Sequence, residues 1–341
     1  MSEKERFVIP SPGDKVLWIR FGRFGDVLQC MADAYNFKKS FPEIHLTFLC
    51  YPQYVDIIRV QPYIDDVFSG RKKIFEDWRE INRKIKAGRY RWVVNNHLRG
   101  KTSLLAYLSQ AEHRIGISTG FFHKFLHHMS LDRFGQLCDV NRHDRSLPSV
   151  FAAEEDRKAA MNLLAGLPKR RLFVVLGASK VEKMWPEKGW IEFLRTLVNE
   201  GWGIVLNGHG PTEEAIGGRI ESALASKNVL NLVGALGFRK MSGVISRCTL
   251  AIGNDTGPLH LAALSGVPTM GLFNYLKSLP QLAPQLELLN NPWFRALCAD
   301  DHVADAADGL PLKNLTAETV TKVFGAFAEE FLPKAFKWRD E

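Results

Sequence analysis

The chain has no apolar run approaching the roughly 18 residues that a membrane-spanning helix needs, and its opening MSEKERFVIPSPGDK holds no signal-peptide apolar core. Both absences point away from an integral membrane or exported protein, and the expectation is a cytoplasmic one. Cysteine is scarce: Cys30, Cys50, Cys138, Cys248 and Cys298 are odd in number, scattered and never paired as CxxC. That pattern excludes a disulfide framework or a cysteine zinc site and fits reduced, mostly buried thiols. The dinucleotide fingerprint is incomplete too, because Gly208-x-Gly210 is followed by Glu213 where a third glycine is required. A dehydrogenase reading fails there. What remains is a 341-residue chain with 46% hydrophobic residues, enough for two domains with their own cores.

Charge is unevenly spread. Residues 1–165 carry 26 Lys and Arg against 19 Asp and Glu, while residues 166–341 carry 19 against 18. Arg71 to Lys101 alone holds 11 basic residues against 3 acidic. A basic patch confined to one half calls for an anionic partner: a phosphorylated substrate, an acidic membrane surface or a nucleic acid. The plainer alternative is a solvated helix face made by Arg79, Arg83, Lys84 and Lys86.

Short apolar strands alternate with helical patterns along the chain. Val16 to Ile19, Ile44 to Cys50, a strand after Pro62 to Phe68, Trp92 to Asn95 and His113 to Ile117 read as strands. Val27 to Lys39, Gln53 to Val60, Phe75 to Ala87 and Leu104 to Ser109 read as the helices between them. A helix from about Glu154 and the link Gly166 to Arg171 lead to a second alternation. Its strands are Leu172 to Leu176, Ile204 to Leu206, Val229 to Leu232, Cys248 to Ile252 and Val267 to Phe273, the last closing the sheet. Leu276 to Leu312 reads as loop, and Ala317 to Phe331 as a final amphipathic helix. The expected fold is α/β, with two Rossmann-like doubly wound domains at 1–168 and 169–316 facing across a cleft.

Ligands of such sheets lie beyond the carboxyl ends of the strands. The stretch Asn254-Asp255-Thr256-Gly257-Pro258-Leu259-His260 runs from a strand through a turn into a helix, where free N–H groups and the helix dipole suit a phosphate or pyrophosphate. Asp255 suits sugar hydroxyls and Thr256 and Gly257 suit phosphate, with His260 close by; a cap and a packed histidine are the plainer alternative. In the first half, Arg20-Phe21-Gly22-Arg23-Phe24-Gly25-Asp26 makes the same junction, and Asp26 is either a general base or an ordinary cap. Ser179, Lys183, Glu213 and Glu214 fall on further strand-to-helix loops, supplying a cation for a diphosphate and a carboxylate for a ribose. Residues 118–147 bring His123, Lys124, His127 and His128 among phenylalanines, without a carboxylate or cysteine placed to complete a metal site. They read as an aromatic and basic loop over a substrate mouth. A donor half, a basic acceptor half and one candidate base describe glycosyl transfer from a nucleotide sugar.

Three runs, VLWIRFGRFGDVLQCMADAYNFKKSFPEIHLTFL, VLGASKVEKMWPEKGWIEFLRTL and above all IGNDTGPLHLAALSGVPTMGLF, resemble the ADP-heptose:lipopolysaccharide heptosyltransferases of glycosyltransferase family 9. The resemblance covers roughly Val16 to Phe273. It implies the two-domain GT-B fold, a last helix (317–341) returning to the first domain, and no metal or other cofactor, with which the lack of any Asp-x-Asp agrees. It further implies that Asp26 is the catalytic base, that Lys183 neutralises the diphosphate with Ser179, Thr256, Gly257 and His260, that Asp255 holds the heptose, and that Glu213 or Glu214 reaches the ribose. Arg23, Arg71, Lys72, Lys73, Arg99, Lys101, His123 and Lys124 would meet the phosphates and carboxylates of a Kdo-lipid A acceptor at the inner-membrane surface. Gly22-Arg23-Phe24, where the family favours small hydroxyl residues, and Asn95, where it often has a carboxylate, are departures on the acceptor side. Rival readings are another GT-B enzyme, such as a protein heptosyltransferase or a nucleotide-sugar epimerase, and a nucleic-acid-binding module; the last explains the charge but not the donor loops.

Overall fold

The computed structural model describes residues 9–70, 74–97, 100–116, 127, 129–130, 148–178, 180–274, 292–298 and 312–335. The chain divides into two compact units, Met1–Asp144 and Arg145–Glu341. In the first, β1 (Lys15–Ile19), β2 (His45–Cys50), β3 (Asp66–Ser69), β4 (Trp92–Asn95), β5 (His113–Gly116) and β6 (Met129–Ser130) form one sheet in the order β3-β2-β1-β4-β5-β6. Every pairing is parallel. Parallel strands are covered on both faces and so are apolar along their length; Val16 to Ile19 and Trp92 to Asn95 are buried accordingly. The helices are α1 (Phe24–Ser40), α2 (Val55–Arg59), α3 (Ile74–Gly88) and α4 (Gly100–Leu108).

The second unit repeats the plan. Strands β7 (Arg171–Val175), β8 (Gly203–Asn207), β9 (Val229–Asn231), β10 (Leu250–Asn254), β11 (Thr269–Phe273) and β12 (Phe294–Cys298) pair in parallel in the order β12-β11-β10-β7-β8-β9. Helices α5 (Glu154–Leu163), α6 (Glu187–Asn199), α7 (Pro211–Leu224), α8 (Phe238–Ile245), α9 (Gly257–Leu264) and α10 (Ala317–Ala335) accompany them. Strand order reverses between β1 and β4 in one sheet and between β7 and β10 in the other, the switch points where such sheets bind ligands. A core of Trp190, Phe193, Trp202, Phe324 and Phe331 fills one face of the second sheet. Phe193 and Phe324 meet edge to face at 5.3 Å, which fixes α10 on α6.

Several elements differ from the sequence expectation. Helix α5 packs against α8, with Arg239 Nε donating to Asp156 Oδ2 at 2.7 Å, so the unit boundary precedes 168/169. The last helix buries Val320, Phe324, Phe327 and Phe331 in the second unit's core, and residues 336–341 of the expected returning segment lie outside the described residues. Strand β12 lies inside the stretch read as loop and, rather than β11, closes the sheet. Helix α1 starts at Phe24, three residues earlier than its apolar periodicity suggests, because the turn at Gly22 and the Asp26 carboxylate set its first turn. The side chains of Cys30, Cys50, Cys248 and Cys298 are buried, as expected, and none of the four is in a disulfide among the described residues; burial pushes the Cys50 thiol up to about 12. Cys138 lies outside the described residues.

Candidate active site

Strands β7, β8 and β10 are parallel, so their carboxyl ends deliver three loops to one edge of the second sheet. Asn254 closes β10, fully buried, and pins the loop after β7 at both of its ends. Its Nδ2 donates to the Leu176 carbonyl at 2.6 Å, and its Oδ1 accepts the Trp185 N–H at 3.0 Å. Trp185 is itself anchored in the core, its indole N–H donating to the Leu315 carbonyl at 2.8 Å. Lys183, two residues before Trp185, therefore projects from a fixed base, and its Nζ lies 2.8 Å from Asp255 Oδ2. His260 Nε2 stands 3.4 Å from the other oxygen, Asp255 Oδ1. Burial pushes the Asp255 carboxyl up, but His260 and Lys183 outweigh it and hold the group below its ordinary value. Thr256 is the extended residue ahead of α9, which Gly257 and Pro258 open. The helix N-terminus adds N–H groups and a positive dipole end beside the Lys183–Asp255–His260 cluster.

The two adjacent glutamates part company. Glu213 Oε2 accepts the His209 N–H at 2.7 Å, and its carboxylate lies against Gly177 and Gly208. A Cβ at Gly177 would collide with that carboxylate, so the glycine lets Glu213 reach from α7 to the loop after β7. Burial pushes the Glu213 carboxyl above its ordinary value, only partly offset by the His209 N–H. Glu214 is exposed and lies by Gly234 instead.

In the first unit, Gly22 takes φ +152°, and a Cβ there would stand 3.0 Å from Asp26 Oδ2. The turn so made puts Asp26 at the third position of α1, where its Oδ2 accepts the Arg23 N–H at 3.2 Å. Arg20 Nη2 lies 3.5 Å from Asp26 Oδ1, and Arg20 Nη1 donates to the Asn96 carbonyl after β4. Asp26 is thus both a cap and a carboxylate held beside a guanidinium, at the carboxyl end of β1. Asn95 is buried, its amide nitrogen 3.2 Å from Ser103 Oγ and 3.3 Å from His127 Nε2. Arg23 and Lys101 are exposed on the first unit. Arg71, Lys72, Lys73, Arg99, His123, Lys124 and Ser179 lie outside the described residues.

Sequence reasoning gave no role to Arg20, Asn254 or Trp185. A polar residue directly after an apolar strand was the available signal for Asn254; Arg20 and Trp185 act through contacts distant in sequence. Among the described residues no group of three or more His, Cys, Asp or Glu is gathered that could hold a metal ion, and no helix is long and apolar enough to cross a membrane.

Residues 78–286 match the model of glycosyltransferase family 9 (heptosyltransferase). The chain belongs to that family. Lipopolysaccharide heptosyltransferase 1 of Pseudomonas aeruginosa is 24% identical over 284 residues, 76% of this chain and 78% of that one. A family 9 glycosyltransferase of Veillonella parvula superposes with a TM-score of 0.78 at 20% identity, covering 95% of this chain and 100% of that one. The E. coli ADP-heptose LPS heptosyltransferase II gives 0.74 at 17% identity, over 93% and 99%. The tandem of parallel sheets is the GT-B fold, and the family 9 chain is a glycosyltransferase. The matched span includes α3 from Trp78 onward and the whole strand-end cluster around Asp255.

Proposed function

We propose that this family 9 enzyme moves a heptosyl group from ADP-L-glycero-D-manno-heptose to the Kdo-lipid A inner core at the cytoplasmic face of the inner membrane, with inversion and with Asp26 as base. The observation that carries the reading is the Lys183–Asp255–His260 cluster at the carboxyl ends of the second sheet. A lysine, a helix N-terminus and a sugar-binding carboxylate suit a sugar joined to a diphosphate. The E. coli relative named for ADP-heptose supports the donor.

In this mechanism the Asp26 carboxylate takes the proton of an acceptor hydroxyl, whose oxygen attacks the anomeric carbon from the side opposite the diphosphate. The new glycosidic bond forms as the bond to the diphosphate breaks, and ADP leaves with the electron pair. Lys183 exchanges Asp255 for the diphosphate and neutralises its growing charge, with the N–H groups at Thr256 and Gly257 and with His260. Asp255 is then left to hold heptose hydroxyls. Glu213, laid across Gly177 and Gly208, receives the ribose better than the exposed Glu214. Ser179 completes the donor set, no metal takes part, and Arg23, Lys101, Arg71, Lys72, Lys73, Arg99, His123 and Lys124 meet the acceptor's phosphates and carboxylates.

The test is ADP release from purified protein, ADP-heptose and Kdo-lipid A without added metal, beside an Asp26→Asn variant. The variant should lose turnover by about 100- to 10,000-fold, the usual worth of a general base, while binding ADP-heptose normally. Wild-type protein that fails to bind ADP-heptose would overturn the donor, and an Asp26→Asn variant as active as wild type would overturn the base.

A further inference from the structure

The acceptor set leaves the outer face of α3 unused. Ile81 and Ile85 point inward to Leu17, Ile19 and Val93 of the first sheet. One helical turn apart on the opposite side, Arg79, Arg83 and Lys86 are exposed, and Arg89 follows just beyond the helix. Lys84 is satisfied by Glu80 at 2.8 Å, but Arg79, Arg83, Lys86 and Arg89 form no ion pair or side-chain hydrogen bond among the described residues. With Trp78 they line an open groove of about 780 Å³.

The helix packed on α3 carries exposed apolar side chains of its own. Helix α4 covers the same face of the sheet through Leu105 and Ala106 and touches α3. Its outer side leaves Leu104 40% and Tyr107 48% exposed, one turn apart. The other exposed apolar pair, Met161 and Leu163 on α5, has no such company, since the nearby Arg157 and Lys158 are both engaged by Glu154. Cations on one helix and exposed aromatic and aliphatic side chains on the helix packed against it make a surface that enters the headgroup layer of a negatively charged bilayer.

We infer that the outer face of α3 and α4, centred on Arg79, Arg83, Lys86 and Arg89 with Leu104 and Tyr107, docks the enzyme on an anionic phospholipid membrane. The charge is complementary, and among the described residues the four cations have no ion-pair partner to give up. The inference rests on the proposed function only in that a glycolipid acceptor is met in a bilayer; docking itself needs no catalysis.

The test is co-sedimentation of the full chain with vesicles of phosphatidylglycerol and phosphatidylcholine, against vesicles of phosphatidylcholine alone. The wild type should bind only the anionic vesicles, and less as salt rises. The set R79E/R83E/K86E/R89E should weaken that binding more than about 30-fold, as four charges near the surface predict. L104S/Y107S should weaken it a few-fold, and K158E/K169E/K188E/K227E, an equal charge change on exposed lysines of the second unit, should leave it within about twofold. The milder R79Q/R83Q/K86Q/R89Q set, checked for an unchanged melting temperature, should give an intermediate loss and covers misfolding of the reversed one. Equal losses from the two reversed sets, wild-type failure to bind anionic vesicles, or tighter capture of duplex DNA through the same four residues would each overturn the inference. Vesicle binding without turnover of detergent-dispersed Kdo-lipid A would support docking while overturning the proposed reaction.

Discussion

The two units share one sheet plan but secure their key carboxylates in opposite ways. In the second unit Asp255 is 10% exposed and engaged on both oxygens by Lys183 and His260, and the loop that carries Lys183 is tied down by a fully buried Asn254. In the first, Asp26 is 34% exposed, held by one N–H of its own helix and by a guanidinium 3.5 Å away. On the proposed function, the contrast is between a binding site assembled in advance and a base left open to what approaches it. A carboxylate meant to take a proton from a partner must keep an accessible oxygen, whereas one meant to hold a ligand gains from fixed neighbours.

The widest gap should appear in kinetics. Asp26→Asn is expected to lower turnover by about 100-fold or more with donor affinity intact, whereas Lys183→Ala should weaken ADP-heptose binding by about 10- to 100-fold through loss of a charge-assisted contact. Paired calorimetry and steady-state assays check both, and identical profiles for the two variants would erase the distinction. Next in size is Asn254→Leu, which leaves a buried carbonyl and a buried N–H without partners. At roughly 1–3 kcal/mol for each such group, the second unit should lose about 3 kcal/mol in denaturant unfolding. Gly177→Ala pushes only the flexible end of Glu213, so stability should change by less than about 1 kcal/mol while donor affinity falls several-fold.

The smallest effect separates two carboxylates of the same unit by pH. Asp255 is held below its ordinary 3.8, so its ionised form stabilises the fold above that pH and the benefit is lost as pH falls through the lower folded value. Glu213 is held above its ordinary 4.5, so its protonated form is favoured, and that contribution is present below 4.5 and lost as pH rises through the higher folded value. Thermal unfolding between pH 3 and pH 7 should therefore show Glu213→Gln gaining on the wild type as pH rises, and Asp255→Asn falling behind it.

Much of this was legible in the sequence. The alternation of apolar runs with helical periods marks a parallel sheet because parallel strands are buried on both faces, and the Asn254 to His260 junction marks a strand end because chain reversal there needs small and polar residues. What was not legible depends on contacts remote in sequence. The unit boundary hangs on α5 meeting α8, and β12 is defined only by its neighbour β11. Periodicity placed the start of α1 too late because its first turn is fixed by a cap and not by an apolar stripe. The preference for Glu213 over Glu214 in the proposed function rests on the space at Gly177, which a linear pattern does not reveal.

The hydrogen bond from the Trp185 indole to the Leu315 carbonyl has a mechanical consequence. It fastens the segment just before the last helix to the segment that carries Lys183. Clipping the chain ahead of Leu315, or prising α10 from its seat, would slacken a tether whose other end is the loop that carries Lys183, the lysine proposed to meet the donor. The segment ahead of α10 thus acts as a tensioning peg for the loop that carries Lys183.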